Sequence, residues 1–188
     1  NTMVSGGEGM ISSVLRIMTS GILAETLIKT GAAEKIAEVI VEKLGEKRAL
    51  AAISLATMII CAVGVFIDIS VITVAPIALA IGKKSGYHKE ALLLAMIGGG
   101  KAGNIISPNP NTIAVSEAFK VDLTSLMMKN FIPAICAVVV TILLSTMLSK
   151  KQGVQVTEND LEQKEDKNLP SFIQAVAGPV VAVMMYVI

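Results

Sequence analysis

The sequence is poor in charged residues, aromatic residues and residues that bind metals. Only 16% of its 188 residues are charged and 3% are aromatic, and tryptophan is absent. Because 16 Lys and Arg nearly balance 15 Asp and Glu, the chain lacks the basic character of a nucleic-acid partner, and base stacking is excluded too. The one histidine, His88, cannot build a metal or catalytic cluster alone. Since Cys61 and Cys136 lie in apolar runs, where thiols act as small hydrophobic side chains, we expect no disulfide, metal or cofactor.

Apolar residues are what the sequence has in excess. They make up 53% of the chain, whereas a soluble domain is usually about a quarter charged. Too little polar surface remains to cover a water-facing globule, so the composition predicts a protein whose solvent is the lipid bilayer. The chain starts at Asn1 without a signal sequence and stops inside an apolar stretch, so we expect an internal fragment.

Residues 1–148 are predicted to form one transmembrane repeat. After a first apolar segment, apolar residues recur at three- and four-residue spacing over 32–45, which predicts an interfacial helix. The stretch 49–82 carries one charge, Asp68, and is too long for one span and too short for two. It therefore predicts a re-entrant hairpin that turns near residues 64–70 and must be covered by protein or water there.

The remaining segments complete the predicted organisation. Residues 90–119 begin like a membrane helix but contain three glycines at 98–100 and two prolines, Pro108 and Pro110, so we predict a broken helix. A further span is predicted over 130–148, a polar cytoplasmic loop over 149–170, and the truncated start of the next span over 171–188.

The positions of Lys and Arg give a second argument for the hairpin. Most of them fall in the loops 29–48, 83–89 and 149–170. A hairpin that returns to its own side places these three loops on one side of the membrane, which the positive-inside rule makes cytoplasmic. The prediction is a multi-pass protein of the cell (inner) membrane.

Asp68 and Ser70 are the candidate ion-coupling residues. A carboxylate inside a bilayer is costly unless it is protonated, paired or hydrated, so Asp68 is a candidate to carry a coupling proton or to hold a cation such as sodium. The alternative is a structural cap at the hairpin turn, accepting hydrogen bonds from backbone groups such as the Ser70 N–H. Both roles are compatible, because half-helices that meet at a tip gather unsatisfied backbone groups there.

Polar side chains collect at the predicted break in 90–119. The candidate substrate-binding residues are Lys101, Asn104, Ser107, Asn109, Asn111 and Thr112. Amides, exposed N–H groups and an ammonium suit a small carboxylate, and interrupted helices at membrane depth mark transport sites. The alternative is that the glycines serve close helix packing and the prolines a kink. Lys101 either binds the anion or pairs with an acidic residue such as Asp68.

Two runs, KTGAAEKIAEVIVEKLGEKRAL and GVFIDISVITVAPIALAIGKKSG, resemble the gluconate permease (GntP-type) family of the ion-transporter superfamily. That family has a similar Ile-Ala-Glu helix, a Gly-Glu-Lys-Arg turn, and an acidic residue in an apolar run before an Ala-Pro step, here Asp68, Ala75 and Pro76. The resemblance covers roughly residues 9–148. The family's interrupted segment usually has a His and a Pro-Pro-His-Pro-Gly run, whereas this chain has GNIISPNPNT, with prolines but no histidine.

The resemblance implies an inverted-repeat fold, in which a re-entrant hairpin and a broken helix from each half enclose the substrate. It also implies uptake of gluconate-like or other small organic anions, driven by an ion gradient that is commonly of protons. The expected partners are then the missing C-terminal half of the same transporter and, as a further partner, a second copy in a homodimer.

The sequence therefore predicts an all-α, polytopic membrane protein, a fragment of an ion-coupled symporter and not an enzyme, that works by alternating access. Two other classes are kept as alternatives. An intramembrane aspartyl protease needs two embedded carboxylates, and only Asp68 is embedded here. A proton-conducting rotor subunit uses one acid in a helical hairpin, but it does not need the interruption at 98–112.

Overall fold

The structure is a computed structural model that describes residues 24–161 and 169–187, together with positions 11, 14, 15, 18, 19, 21 and 22. Every regular element in this part of the chain is helical, so the predicted all-α class is confirmed. Part of the first predicted apolar segment, about residues 9–28, and residues 162–168 of the predicted loop lie outside the described residues.

From residue 32 onward, eight helices and two short 3-10 turns follow one another along the described chain. They are α1 (Ala32–Leu44), a 3-10 turn (Glu46–Arg48), α2 (Ala49–Ala62), α3 (Ile67–Ser85), α4 (Lys89–Asn104), α5 (Pro110–Ala118), α6 (Leu123–Lys129), α7 (Phe131–Leu148), a 3-10 turn (Glu158–Asp160) and α8 (Phe172–Val187). Helix α4 lies at the centre and packs against α2, α3 and α7, while α1 packs against α2 and α8.

Helix α1 is amphipathic. Its buried residues include Ala33, Ile36, Ala37 and Val41, which recur at the spacing of one helical face. Gly45, with a positive φ of 73°, ends the helix and its N–H bonds to the Val41 carbonyl, as expected for a residue without a Cβ penalty. The apolar stripe thus holds α1 along the surface of α2 and α8.

The segment 49–82 is interrupted at residues 63–66, between α2 and α3. Gly64 has a φ of 108°, a conformation that favours glycine. The two helices pack against each other, and the Cys61 thiol donates a hydrogen bond to the Ser70 hydroxyl at 3.1 Å. The polypeptide therefore folds here as a helical hairpin, and its re-entrant placement in a membrane stays a prediction.

The three glycines at 98–100 do not interrupt α4, so the prediction that they end the helix is wrong. Helix α4 runs through them to Asn104, and the break follows at 105–109. A Cβ at each glycine would overlap a different neighbour: Gly98 would meet Thr141 of α7, Gly99 the Ser54 carbonyl of α2, and Gly100 Ile67 of α3. Because successive helical residues point about 100° apart, these glycines let three helices approach one backbone.

Among the described helices, α7 alone is long and apolar enough to cross a bilayer by length and composition, and Phe172–Val181 of α8 is a shorter apolar stretch. The buried residues of α7 are Ala134, Val138, Thr141 and Ser145, one narrow face directed at its neighbours. Large apolar side chains such as Ile132, Val139 and Leu143 are exposed. This is the reverse of a water-facing helix and fits contact with lipid.

The loops that carry Lys and Arg share one end of the helices. Lys89 of α4 contacts Asp160 at 2.6 Å and Lys83 of α3 contacts Glu158, while Gly31 before α1 packs against Leu169. The interruptions at 63–66 and 105–109 lie at the opposite ends of α2, α3 and α4. The hairpin formed by α2 and α3 therefore begins and ends on the side of the charged loops.

Candidate functional site

The two interruptions lie side by side. A Cβ on Gly64 would stand 4.0 Å from Cγ of Pro108, so the turn of the hairpin contacts the break that follows α4. Just before that break, Gly103 packs against the backbone of Met58 and Ala62 in α2. The helix packing therefore brings 63–66 and 105–109 together although about 40 residues separate them, because α2 and α4 run side by side in the same direction and end near each other.

A proline and an asparagine determine how α5 begins after the break at 105–109. Pro110 occupies the first turn of α5, where its missing N–H costs nothing, and it keeps the preceding Asn109 extended. The Asn109 side-chain oxygen accepts hydrogen bonds from the N–H groups of Asn111 at 2.9 Å and Thr112 at 3.3 Å. Asn109 is thus the N-cap of α5.

Four of the six predicted substrate-binding residues meet at one backbone carbonyl, that of Asn104. The Ser107 and Thr112 hydroxyls each donate to it at 3.1 Å, and the Asn109 side-chain amide also donates to it. The same amide donates to the Ser107 hydroxyl at 3.0 Å and the Thr112 hydroxyl at 3.2 Å. All four residues are buried. We call Asn104, Ser107, Asn109 and Thr112 the asparagine cluster.

One atom of the asparagine cluster lacks a partner. The side-chain oxygen of Asn104 is buried, with 7% of the residue exposed, and accepts no hydrogen bond from the described residues. A buried polar atom without a partner costs about 1–3 kcal/mol. Such an atom needs an explanation in a native protein, and a ligand that donates a hydrogen bond or binds as a cation is one.

The predicted charged residues lie at the surface beside this cluster. Asp68 in the first turn of α3 and Lys101 in the last turn of α4 are both exposed, and neither forms an ion pair within the described chain. Their neighbours in the sequence, Ile67 and Gly100, contact each other beside the Cys61 thiol. The structure thus places the two charges in one neighbourhood but does not show the Lys101 to Asp68 pair that the sequence left open.

The hairpin turn has no side-chain cap. The N-cap of α3 is Phe66, and no side chain accepts a hydrogen bond from the first turn, so the capping role considered for Asp68 is not found. Ser70 is fully buried and bonds to Cys61, which makes it a link between the hairpin arms. The N–H groups that open α3 are left for an external acceptor, and the helix dipole there favours an anion.

Two asparagines outside the asparagine cluster, Asn111 and Asn130, also form hydrogen bonds at the break. Asn111 contributes its backbone N–H to the Asn109 cap while its side chain is exposed, so it is placed beside the asparagine cluster and not within it. Asn130 was not singled out from the sequence, yet its side-chain amide donates to the Ile105 carbonyl at 3.1 Å. A polar residue directly before an apolar span was the only sequence signal for it.

In the part of the chain that the structure describes, an all-helical fold, an apolar helix of membrane length and two adjacent helix interruptions are features typical of membrane transport proteins. Comparison with known proteins gives the family. The sequence model of one protein family, described as GntP family permease, matches residues 1–188. The chain therefore belongs to this family, which confirms the resemblance found in the sequence. Members are transporters rather than enzymes, so the protease alternative is set aside.

The relatives are longer than this chain. It is 51% identical over 183 residues to an "Uncharacterized transporter" of Haemophilus influenzae, a match covering 97% of this chain and 43% of the relative. It is 27% identical over 158 residues to the "Inner membrane permease YgbN" of Escherichia coli, covering 83% and 35%. The chain thus spans less than half the length of the curated relatives it matches. No solved structure matches it significantly.

Proposed function

We propose that this chain forms one wall of the transport site in an ion-coupled symporter for a small organic anion, embedded as a multi-pass protein in the inner membrane. The observation that carries the proposal is the buried, unpartnered side-chain oxygen of Asn104 beside the hairpin turn. Membership of the family, and the name of the Escherichia coli relative as an inner membrane permease, support the membrane location and the transport activity.

The chemistry of the Asn104 oxygen narrows the substrate. A bare carboxylate is an acceptor only, so it cannot satisfy this oxygen. A hydroxyl can, which favours a hydroxylated carboxylate of the gluconate kind. The carboxylate would then be received by the Lys101 ammonium and the Asn111 side chain, which are exposed donors close to the cluster in the chain, and by the start of α3, which no side chain caps.

Asp68 is assigned the coupling role. The interrupted segment has no histidine, and Asp68 is the carboxylate at the hairpin turn, unpaired within the described chain. It would take up and release the coupling proton, or help to hold sodium, while the hairpin and the broken helix change their exposure. Ser70 would act with it by fixing the start of α3 against α2 through Cys61.

The rest of the transporter would come from outside this chain. We assign residues 1–148 to an N-terminal repeat, with 49–82 as a re-entrant hairpin and 149–170 on the cytoplasmic side. An inverted second repeat would supply the opposite wall, because the relatives are more than twice as long as the matched segment. The lipid bilayer surrounds the exposed face of α7, and a homodimer is an arrangement to be tested by cross-linking.

The test is uptake of labelled organic acids by the complete protein in proteoliposomes, with a pH gradient, a sodium gradient or neither. We expect a hydroxy acid to be accumulated under one gradient. Asp68→Asn should abolish gradient-driven accumulation because the coupling group is gone, while exchange of substrate across the membrane continues. Glu117→Gln on α5 is the matched control and should leave accumulation intact. Normal accumulation by Asp68→Asn would remove this residue from the mechanism.

A further inference from the structure

Residues 149–161, which composition places in a solvated loop, are docked on the connection between α3 and α4. We call 149–161 the strap and the connection at 86–88 the elbow. The Lys89 N–H donates to the Val154 carbonyl at 2.9 Å, and the Val154 N–H donates to the Glu90 carboxylate at 3.1 and 3.2 Å. Val156 is 9% exposed and joins the apolar core. The strap is therefore anchored by backbone, charge and apolar contacts together.

Two ion pairs fasten the C-terminal part of the strap. Lys83 of α3 pairs with Glu158, and Lys89 of α4 pairs with Asp160 at 2.6 Å. Asp160 also accepts hydrogen bonds from the Thr157 N–H and hydroxyl. Lys89 and then Thr157 hold the pKa of Asp160 at about 2, below its ordinary 3.8. Because the pKa of Asp160 is lowered in the folded protein, its ion pair stabilises the docked strap at pH values above the ordinary pKa of 3.8. This contribution is lost only as the pH falls toward 2, so it stays constant between about pH 5 and 8.

His88 is the titratable group at the centre of the docked region, and only 2% of it is exposed. Its Nε2 lies 2.8 Å from the Leu148 carbonyl at the end of α7. Its Nδ1 lies 2.9 Å from the Glu90 carboxylate and 3.3 Å from the Ala91 N–H. The strap covers the ring closely, because a side chain at Gly153 would overlap it.

These contacts fit two protonation states unequally. In the neutral ring, Nε2–H donates to Leu148 and the Nδ1 lone pair accepts the Ala91 N–H, but that lone pair also faces the Glu90 carboxylate. In the protonated ring, Nδ1–H donates to Glu90 and both acceptors are satisfied, while the weaker 3.3 Å bond from the Ala91 N–H is given up for this charge-assisted one. The carbonyl end of α7 favours the cation as well. Protonation therefore fixes the same carboxylate that holds the Val154 N–H.

Of the charged side chains on the elements packed around His88, Lys84 of α3 and Lys150 and Lys151 of the strap are exposed to solvent. Within the described chain, Glu90 is the titratable group in contact with the ring. The nearby lysines, Lys83 and Lys89, are each paired with an acid of the strap. Imidazole is the side chain that ordinarily changes its charge between about pH 5 and 8. A change in the docking of the strap in this pH range would thus report on the contact between His88 and Glu90.

We propose that the strap is a pH-dependent latch, held more tightly on the elbow when His88 is protonated and more loosely when His88 is neutral. The elbow joins the hairpin to the broken helix, so a docked latch restrains both. Because proton-coupled uptake acidifies the cytoplasm, the latch would slow uptake as protons accumulate. This last consequence rests on the proposed function, whereas the latch itself does not.

The latch is tested on the complete, detergent-solubilised protein without measuring transport. Val156→Cys, buried in the docked strap, is labelled with a maleimide, and Val154→Cys, whose side chain is exposed in the same strap, is the control for the effect of pH on thiol reactivity. Both carry Cys136→Ala, since Cys136 is exposed. We expect the labelling rate of position 156 relative to 154 to fall by up to about tenfold from about pH 7.5 to about pH 5.5.

Two variants identify the group responsible. His88→Asn keeps an N-cap for α4 but cannot be protonated, so the relative labelling rate should become independent of pH. Glu90→Gln removes the charge that recognises the imidazolium, and it should have the same effect if His88→Asn fails to fold. A relative rate that is constant with pH in the native protein, or that keeps its pH dependence in these variants, would overturn the proposal. Loss of uptake with an intact latch would instead count against the proposed function.

Discussion

Replacing Asn104 by Leu should move stability and substrate affinity in opposite directions. The backbone carbonyl that organises the asparagine cluster is unchanged by this substitution. The side-chain oxygen that lacks a partner is removed, and Leu is of similar size and apolar. Since an unpartnered buried oxygen costs about 1–3 kcal/mol, the free energy of unfolding of the empty protein should rise by about 1 kcal/mol.

The affinity should change the other way. If the substrate donates a hydrogen bond to this oxygen, its loss costs about 0.5–1.5 kcal/mol, which corresponds to a KM about twofold to tenfold higher. Thermal unfolding of the complete protein without substrate, and uptake at varied substrate concentration, measure the two effects.

Asn130→Leu is the matched control for this experiment. Its side-chain amide is already bonded to the Ile105 carbonyl, so the substitution should lower the unfolding temperature. If Asn104→Leu also lowers the unfolding temperature and leaves the KM unchanged, the oxygen is part of the structure and the assignment of the substrate site fails.

Two further predictions concern the glycines of α4 and the exposed asparagine. Gly99→Ala should destabilise the protein by about 1–3 kcal/mol or more, because the added methyl meets the Ser54 backbone, which cannot rotate away. Gly21→Ala, where no described residue lies within 4 Å, is the control and should leave stability unchanged or slightly raised in the same thermal unfolding assay, since Ala favours a helix more than Gly does. Asn111→Ala should raise the KM without lowering the unfolding temperature, because its side chain is exposed; an unchanged KM would leave it outside the substrate site.

Local chemistry determined where the helices break, and it could be read from the sequence. Proline before and within a turn disfavours helix whatever surrounds it, so the interruption near Pro108 and Pro110 was predictable. The gathering of Asn104, Ser107, Asn109 and Thr112 also followed from polar residues in an apolar stretch. Their hydrogen-bond pattern did not, because several pairings satisfy the same donors and acceptors.

Other features depend on residues that are distant along the chain. Three consecutive glycines can either end a helix or allow neighbouring helices to pack closely against it, and the sequence alone does not distinguish these roles. The contacts with Thr141, Ser54 and Ile67, which lie far away in the chain, show that the glycines at 98–100 have the second role. Likewise His88 reads as a loop residue until the Leu148 carbonyl, 60 positions away, is brought to it. A polar composition cannot show that a segment such as 149–161 finds partners on folded helices.

The close approach of three helices to α4 also limits how this protein can move. A helix that meets its neighbours through backbone at Gly98, Gly99 and Gly100 cannot slide or rotate by one residue without driving a bulkier side chain into them. Helices α2, α3, α4 and α7 must therefore travel as one rigid body. Any change of shape during a working cycle falls to the short joints that have no helical hydrogen bonds.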